Sequence, residues 1–448
     1  MRTGLKLLMI GGLLIVLMIP ILSLRGLVWE RQERGREAAE DIARSSSRAQ
    51  TLIGPLLLLD SEETLRRSRE IRRESGNENV VEEVKLRRQI VVPAEMLELD
   101  NTLATRERRR GLFAVPLYLD ELTATARFTM PEAPPSEGER IAQRWVGAAL
   151  VFGLGDARGI QSFTVFVDGT QQRVEPGSPL AWLGDSVQVP LDAASLHSGR
   201  AIDVRLAARI QGTQALNFAP LAGEARVAVQ ADWAHPGFQG QRLPDDPASG
   251  DAGFKANWTL SRLSGQAVHM LPQCRADTAS CAAVEAAQFG VKLVDPVDLY
   301  LKTDRAMKYA LLFLVLVFGA VFFVEALRSV QVHPLQYGLT GLALATFFLL
   351  LLSLSEHLGF GPAYLLAALA CVALVTTYMQ AVLGSRGRGL AFGALLAALY
   401  GLLYGLLQSE DYALLMGSLA LFGLLAVVML ATRRLDWRRL GTARTEVA

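Results

Sequence analysis

The last third of the chain limits the fold more than any other feature. Five apolar runs follow one another there at 306–327, 335–354, 363–383, 390–407 and 413–432, joined by connections of a few residues. A helix crossing a bilayer needs roughly 20 mostly apolar residues, and each run is about that long. In hydrocarbon the backbone must satisfy its own hydrogen bonds, so such runs cross as helices. The short connections make neighbouring helices antiparallel and predict a compact bundle. A sixth run, 5–24, opens with Arg2 and Lys6 like a secretory signal, and Pro20 is a candidate kink. The run is long, and LSLRGLVWERQ offers no small-x-small cleavage site, so it reads as a retained anchor.

Charge sets the orientation. Among the last five runs, the loops RSVQVHP and GSRGRG and the tail RRLDWRRLGTAR are basic, whereas SEHLGFGP and QSEDY carry no Lys or Arg. Short cytoplasmic loops collect Lys and Arg. This places the C-terminus in the cytoplasm, six spans place the N-terminus there too, and the long segment between spans one and two is exported. The basic cluster Arg25, Arg31, Arg34 and Arg36 opposes this assignment, but long segments translocate largely regardless of their charge. A formal net charge of +1 gives no reason to expect a nucleic-acid partner. The expected partners are the lipid bilayer and a component or protein bound by the exported segment, with oligomerisation left open.

That exported segment has a different pattern. After a Glu-, Arg- and Ala-rich stretch that prolongs the first helix to about Ser47, short runs such as TATARFTM, SVQVPL and AIDVRLAARIQG alternate with period two. Half-buried strands alternate in this way. The fold class is therefore an α-helical multi-pass membrane protein of six spans with a large, mainly β periplasmic domain. Its expected parts are an anchor at 1–28, the β domain with a helical start at 29–300, a five-helix bundle at 301–435 and a basic tail at 436–448. HPGFQGQRLPDDPASGDAG reads as a long loop.

Residues with possible chemistry are few. HExxH, GxSxG, GxxxxGK[ST], GxGxxG and paired CxxC are all missing, so no catalytic, cofactor-binding or metal-binding residue is assigned and the chain is read as a non-enzyme. His235, before Pro236, reads as a structured turn. Cys274 and Cys281 in CRADTASC suit a small disulfide loop in an oxidising compartment, while Cys371 reads as a small apolar residue. Glu356 and His357 lie between the third and fourth spans, on the same face as Glu410 and Asp411. They are either exported-side turns or a polar site at the mouth of the bundle for a proton, cation or ligand. Gly389, Gly393, Ala397, Gly401 and Gly405 recur every four residues, a spacing that lets another helix approach closely. Glu325 is expected to pair with Arg328, three residues on.

SRAQTLIGPLL, RRRGLFAVPLY, GDARGI, WAHPGFQG, GVKLVDPVDLY, HPLQYGLTGLALATFFLLLLSLSEHLGF and TRRLDW occur in order along the chain. In these the sequence resembles the CreD family of inner-membrane proteins over nearly its whole length. The resemblance implies a part in Gram-negative cell envelope integrity and stress response, under a two-component regulon, with colicin tolerance and β-lactam response among its associations. It implies no reaction. Two functions follow as expectations: non-enzymatic binding through the exported domain, or a transporter or ion pathway using the polar loops.

Overall fold

The computed structural model describes residues 3–73, 76–132, 139–263, 265–294, 299–328 and 331–408, with isolated helical positions from 415 to 429. Two compact units emerge. One comprises Met1–Arg36 and Val297–Ala448, the other Glu37–Pro296.

Among its described residues the second unit has fifteen strands: β1 (Gln50–Arg73), β2 (Gly76–Arg110), β3 (Phe113–Thr129), β4 (Glu139–Gly153), β5 (Ile160–Val167), β6 (Thr170–Gln172), β7 (Glu175–Pro176), β8 (Ser186–Leu191), β9 (Ala201–Thr213), β10 (Ala215–Ala219), β11 (Ala222–Ala231), β12 (Pro236–Gly240), β13 (Ala248–Gly250), β14 (Gly253–Leu260) and β15 (Phe289–Leu293). The main path runs β12-β15-β10-β1-β2-β3-β9-β5-β6, with β4, β8 and β7 branching from β1 and with β11, β14 and β13 branching from β2. Pairing is antiparallel except for β1 with β10 and β2 with β11. The period-two signal becomes burial directly: on β9, Ile202, Val204, Leu206, Ala208 and Ile210 are buried, whereas Asp203, Arg205 and Arg209 are exposed. These residues join Phe128, Phe218 and Trp258 in one core. A smaller core, around Leu56, Trp182 and Leu183, lies against helices α2 (Gln266–Met270) and α3 (Ala282–Ala287). Between these helices, Cys274 and Cys281 form a disulfide.

The expected loop beginning HPGFQG is in part strand. β12 pairs with β15 from Pro236↔Leu293 to Gly240↔Phe289. A side chain at Gly240, where φ is +96°, would strike the backbone of Gln288 and Phe289, so glycine permits this edge strand to lie so close. Phe238 then stands edge-on to Trp258 at 5.9 Å.

The first unit is helical. Helix α1 (Thr3–Ser45) runs without interruption through Pro20. It is followed by α4 (Leu299–Lys308), α5 (Ala310–Arg328), α6 (Pro334–Leu358), α7 (Phe360–Val382) and α8 (Arg386–Gln408). Four of these helices, α1, α6, α7 and α8, are each long and apolar enough to cross a membrane; five spans result if α4 and α5 together make one. The described residues thus hold four or five spans, not the six expected. Two causes separate the counts. The run expected from 306 is divided at Tyr309, where α4, polar with Lys302, Asp304, Arg305 and Lys308, meets the apolar α5 at a 45° bend. The run at 413–432 falls largely outside the described residues.

Candidate functional site

Charged side chains are costly in an apolar helical unit and mark its sites of interest. Glu356 sits in the last turn of α6, with its side chain 9% exposed. Arg31 of α1 lies 3.5 Å from its Oε1, and the Tyr300 hydroxyl of α4 donates to the same oxygen at 3.3 Å. His357 is exposed. Gly359, with φ at +78°, ends α6 and lets α7 begin at once. Glu410 and Asp411 lie outside the described residues, so of the four candidate mouth residues only Glu356 and His357 are placed. Further along α1, Arg25 pairs with Asp304 at 3.1 Å, and Lys308 meets the same carboxylate at 3.0 Å.

A second cluster escaped the reading of the sequence. Lys6 of α1 pairs with Glu325 of α5, and it donates to the Val332 carbonyl at 2.8 Å. The Tyr337 hydroxyl of α6 donates to the other oxygen of Glu325 at 3.1 Å, and the Lys6 ammonium stands 5.9 Å from the Tyr337 ring. The expected partner, Arg328, has no described side chain. The available signal was that Lys6 and Glu325 are lone opposite charges in separate apolar runs; the short sequence distance to Arg328 concealed it.

The small-residue stripe of α8 divides in two. A Cβ on Gly389 would meet Gln380, and one on Gly393 would meet Thr376, both on α7. At Gly401 and Gly405 a Cβ would meet nothing within 4 Å. Towards that end Ala397 and Gly401, with Tyr364, Leu365, Ala368 and Tyr400, line a groove of about 670 Å³. Cys371 does more than fill space. It accepts from the Tyr400 hydroxyl at 3.2 Å and donates to the Ala343 carbonyl at 3.5 Å, joining α8, α7 and α6.

In the β unit, GDARGI forms a junction. Asp156 accepts from the Arg48 backbone N–H at 3.0 Å and from the Arg158 guanidinium at 2.6 Å, and that guanidinium also donates to the Arg44 carbonyl at 2.7 Å. The Gln50 side chain donates to the Asp156 carbonyl at 2.9 Å and the Gln211 carbonyl at 3.0 Å, and accepts from the Asp156 N–H at 3.1 Å. The hydrogen bond from Arg158 chiefly holds the Asp156 carboxyl down at about 2. Gly159 is obligatory here, since a Cβ would run into the Gln211 carbonyl and reach the Ser47 side chain at 3.2 Å. WAHPGFQG is also framework: the Trp233 indole N–H donates to the Val294 carbonyl at 2.9 Å, and the His235 carbonyl accepts from Val294 at 3.2 Å. Among the described residues no three His, Cys, Asp or Glu side chains cluster as metal ligands would.

A groove of about 590 Å³ opens beside β2, β11 and β14, lined by Thr102, Gln230, Asp232, Ser249, Phe254 and Lys255 among others. It offers donors, acceptors and both signs of charge, with the core residue Phe254 behind its wall.

A solved mutant M1 zinc metallopeptidase from Deinococcus radiodurans, bound to a Tyr-Ser-Ala substrate, overlaps 37% of this chain and 38% of its own at 12% identity, with a TM-score of 0.19. That overlap is too loose to define a shared fold. The sequence comparisons are far stronger. Inner membrane protein CreD of Escherichia coli (strain K12) is 32% identical over 428 residues, covering 95% of this chain and 92% of that protein. The family described as Inner membrane protein CreD matches residues 2–438, and the chain belongs to the CreD family of inner membrane proteins.

Proposed function

We propose that this protein serves cell envelope integrity as a non-enzymatic binding protein, with its β unit in the periplasm and both termini in the cytoplasm. The groove beside β2, β11 and β14 carries this reading. Its mixed lining of Gln230, Asp232, Ser249 and Lys255 suits a peptide or saccharide segment of an envelope component. The Asp156 junction supports it by fixing the end of α1 to the strands that build this unit. A photo-crosslinking residue at exposed Ser249 in intact cells tests the reading. The expected result is a discrete envelope adduct that weakens when Gln230 and Lys255 are both replaced by alanine. Full envelope function after replacing those residues, with no adduct from Ser249, rejects it. A reporter at Gly169, an exposed turn with φ at +81°, tests the orientation; activity in the cytosol would reverse it.

A transporter or ion pathway is the second reading, favoured by one observation: the Glu356 carboxylate is almost buried at a helix end in an apolar unit. Replacing Glu356 and His357 with glutamine removes function on this reading and leaves the amount of folded protein unchanged. Unaltered function eliminates it.

A further inference from the structure

We infer that a trough between α1 and the start of α6 is a binding site for an anionic glycerophospholipid, its phosphate held at Lys6 and His333 and an acyl chain laid along Met9, Leu13 and Leu335. The trough encloses about 460 Å³. Its walls are apolar and open to the surroundings: Met9 is 40% exposed, Val16 57% and Leu335 67%. One end is different. Lys6, His333 and Tyr337 line it, whereas Glu325 does not.

The chemistry of that end is donor-rich. Lys6 has three N–H donors. One goes to the Val332 carbonyl and one to Glu325, which leaves a third. Glu325 is occupied by Lys6 and by the Tyr337 hydroxyl, and it holds the ammonium in place. The His333 Nδ1 accepts the Leu335 backbone N–H at 3.2 Å as it caps α6. A neutral imidazole that accepts at one nitrogen carries its proton on the other, so Nε2 is a donor. The positive end of the α6 dipole starts at the same place and favours an anion there. A phosphate complements the ammonium, the imidazole N–H and the dipole together, and a trough continuing from them as bare hydrocarbon suits the chain attached to that phosphate. Basic pockets between spanning helices take lipid headgroups by this logic. The groove between α7 and α8 provides a contrast, being larger at about 670 Å³ but without a cation in its lining.

The test uses the full chain extracted from vesicles of phosphatidylglycerol and phosphatidylcholine in equal amounts, with retained lipid read by native mass spectrometry. The expected result is retention of phosphatidylglycerol over phosphatidylcholine by about tenfold, which corresponds to about 1.4 kcal/mol. Lys6→Met with Glu325→Leu removes both charges together, so neither is left unpaired, and should bring the two lipids to parity. Met9→Trp fills the trough from an exposed position with the charges intact and should lower total retention about tenfold. Leu365→Trp in the α7/α8 groove should change neither quantity. Equal retention of both lipids by the parent chain overturns the assignment. So does a preference for phosphatidylglycerol that survives both the double variant and Met9→Trp, or retention of inorganic phosphate in place of lipid.

Discussion

The helical unit and the β unit bury polar side chains by opposite methods. In the helical unit a buried charge is answered by another side chain from a distant helix: Lys6 by Glu325, and Glu356 by Arg31. In the β unit Asp156 is answered mainly from its own neighbourhood and by backbone, from Arg158 and the Arg48 N–H, while Gln50 satisfies the Asp156 and Gln211 carbonyls. The cause lies in the secondary structure. A helix spends its own N–H and C=O groups internally, so a buried charge in lipid must seek a partner on another helix. The turns between strands leave backbone groups unspent, and these can surround a carboxylate. The helical unit is therefore sensitive to the loss of one partner, and the β unit to the loss of its local geometry.

The largest expected effect follows from the first half of that contrast. Glu325→Ala leaves the Lys6 ammonium, its side chain 12% exposed, without its counter-ion. Removing one partner of a buried pair costs about 3–5 kcal/mol, whereas removing both with apolar replacements is close to neutral. Thermal unfolding of the full chain in detergent should show a large loss for Glu325→Ala and recovery in Lys6→Met with Glu325→Leu. A double variant as unstable as the single one would mean that the pair does more than neutralise itself.

The second prediction tests the β side. The native Asp156 carboxyl titrates at about 2, below its ordinary 3.8. The stabilisation from a depressed carboxyl is complete above the unfolded value and is lost as pH falls through the folded one. Because the Asp156 side chain is 5% exposed, the contribution is about 2 kcal/mol. Asp156→Asn should begin that much less stable at pH 7, and its stability should fall less steeply than the parent's from pH 4 to pH 2. Protease resistance of the β unit measures both. Parallel pH curves would remove Arg158 and Arg48 from the account.

The same contrast explains what the sequence could reveal. Strand periodicity is local, so β9 and β3 were legible from their alternation, and the apolar runs of α6, α7 and α8 were legible from length alone. Pairings across long separations were not. The Lys6–Glu325 partnership spans 319 positions, and nothing near either residue announces it. The α4–α5 bend was partly readable, because Lys302, Asp304, Arg305 and Lys308 precede Ala310, but hydropathy averaged over a window smooths such a boundary. The glycines of GDARGI and WAHPGFQG stood out as motifs. That they serve backbone contact follows only once Gln211, Gln288 and Phe289 are brought beside them. At the candidate mouth, Glu356 was visible as a charge, but its partners Arg31 and Tyr300 come from other helices.

Glycine sensitivity gives a third, smaller effect within the helical unit. Gly393→Ala pushes a methyl into Thr376, whose Cγ2 is 3.0 Å from that position and whose Oγ1 is closer still. Overpacking of this kind costs about 1–3 kcal/mol. Gly401→Ala meets nothing within 4 Å. It should leave unfolding of the monomer within about 0.5 kcal/mol of the parent, as surface substitutions usually do. Equal losses at both positions would show that a further helix covers the open end of the stripe.

The smallest effect has the opposite sign and concerns a β-unit carboxylate that breaks that unit's rule. Asp120 on β3 faces the core between Tyr118 and Leu122, is 1% exposed, and has no hydrogen-bond partner at either oxygen. Leu103 and Ile210 are its cross-strand neighbours, and desolvation pushes its carboxyl well above the usual range. It therefore ionises less readily than in the unfolded chain. For a raised carboxyl, the favourable contribution is complete below 3.8 and is lost as pH rises towards the folded value, the reverse of Asp156. Replacing an unsatisfied buried polar group with an apolar one of similar shape is neutral or stabilising. Asp120→Leu should thus raise stability at pH 7 by about 1 kcal/mol and flatten the parent's decline as pH rises above about 4. A loss at pH 7 would mean that the carboxyl is held by something it gives up on mutation, and Asn101 on β2, whose own side-chain oxygen has no hydrogen-bond partner, is the first residue to test by a double-mutant cycle.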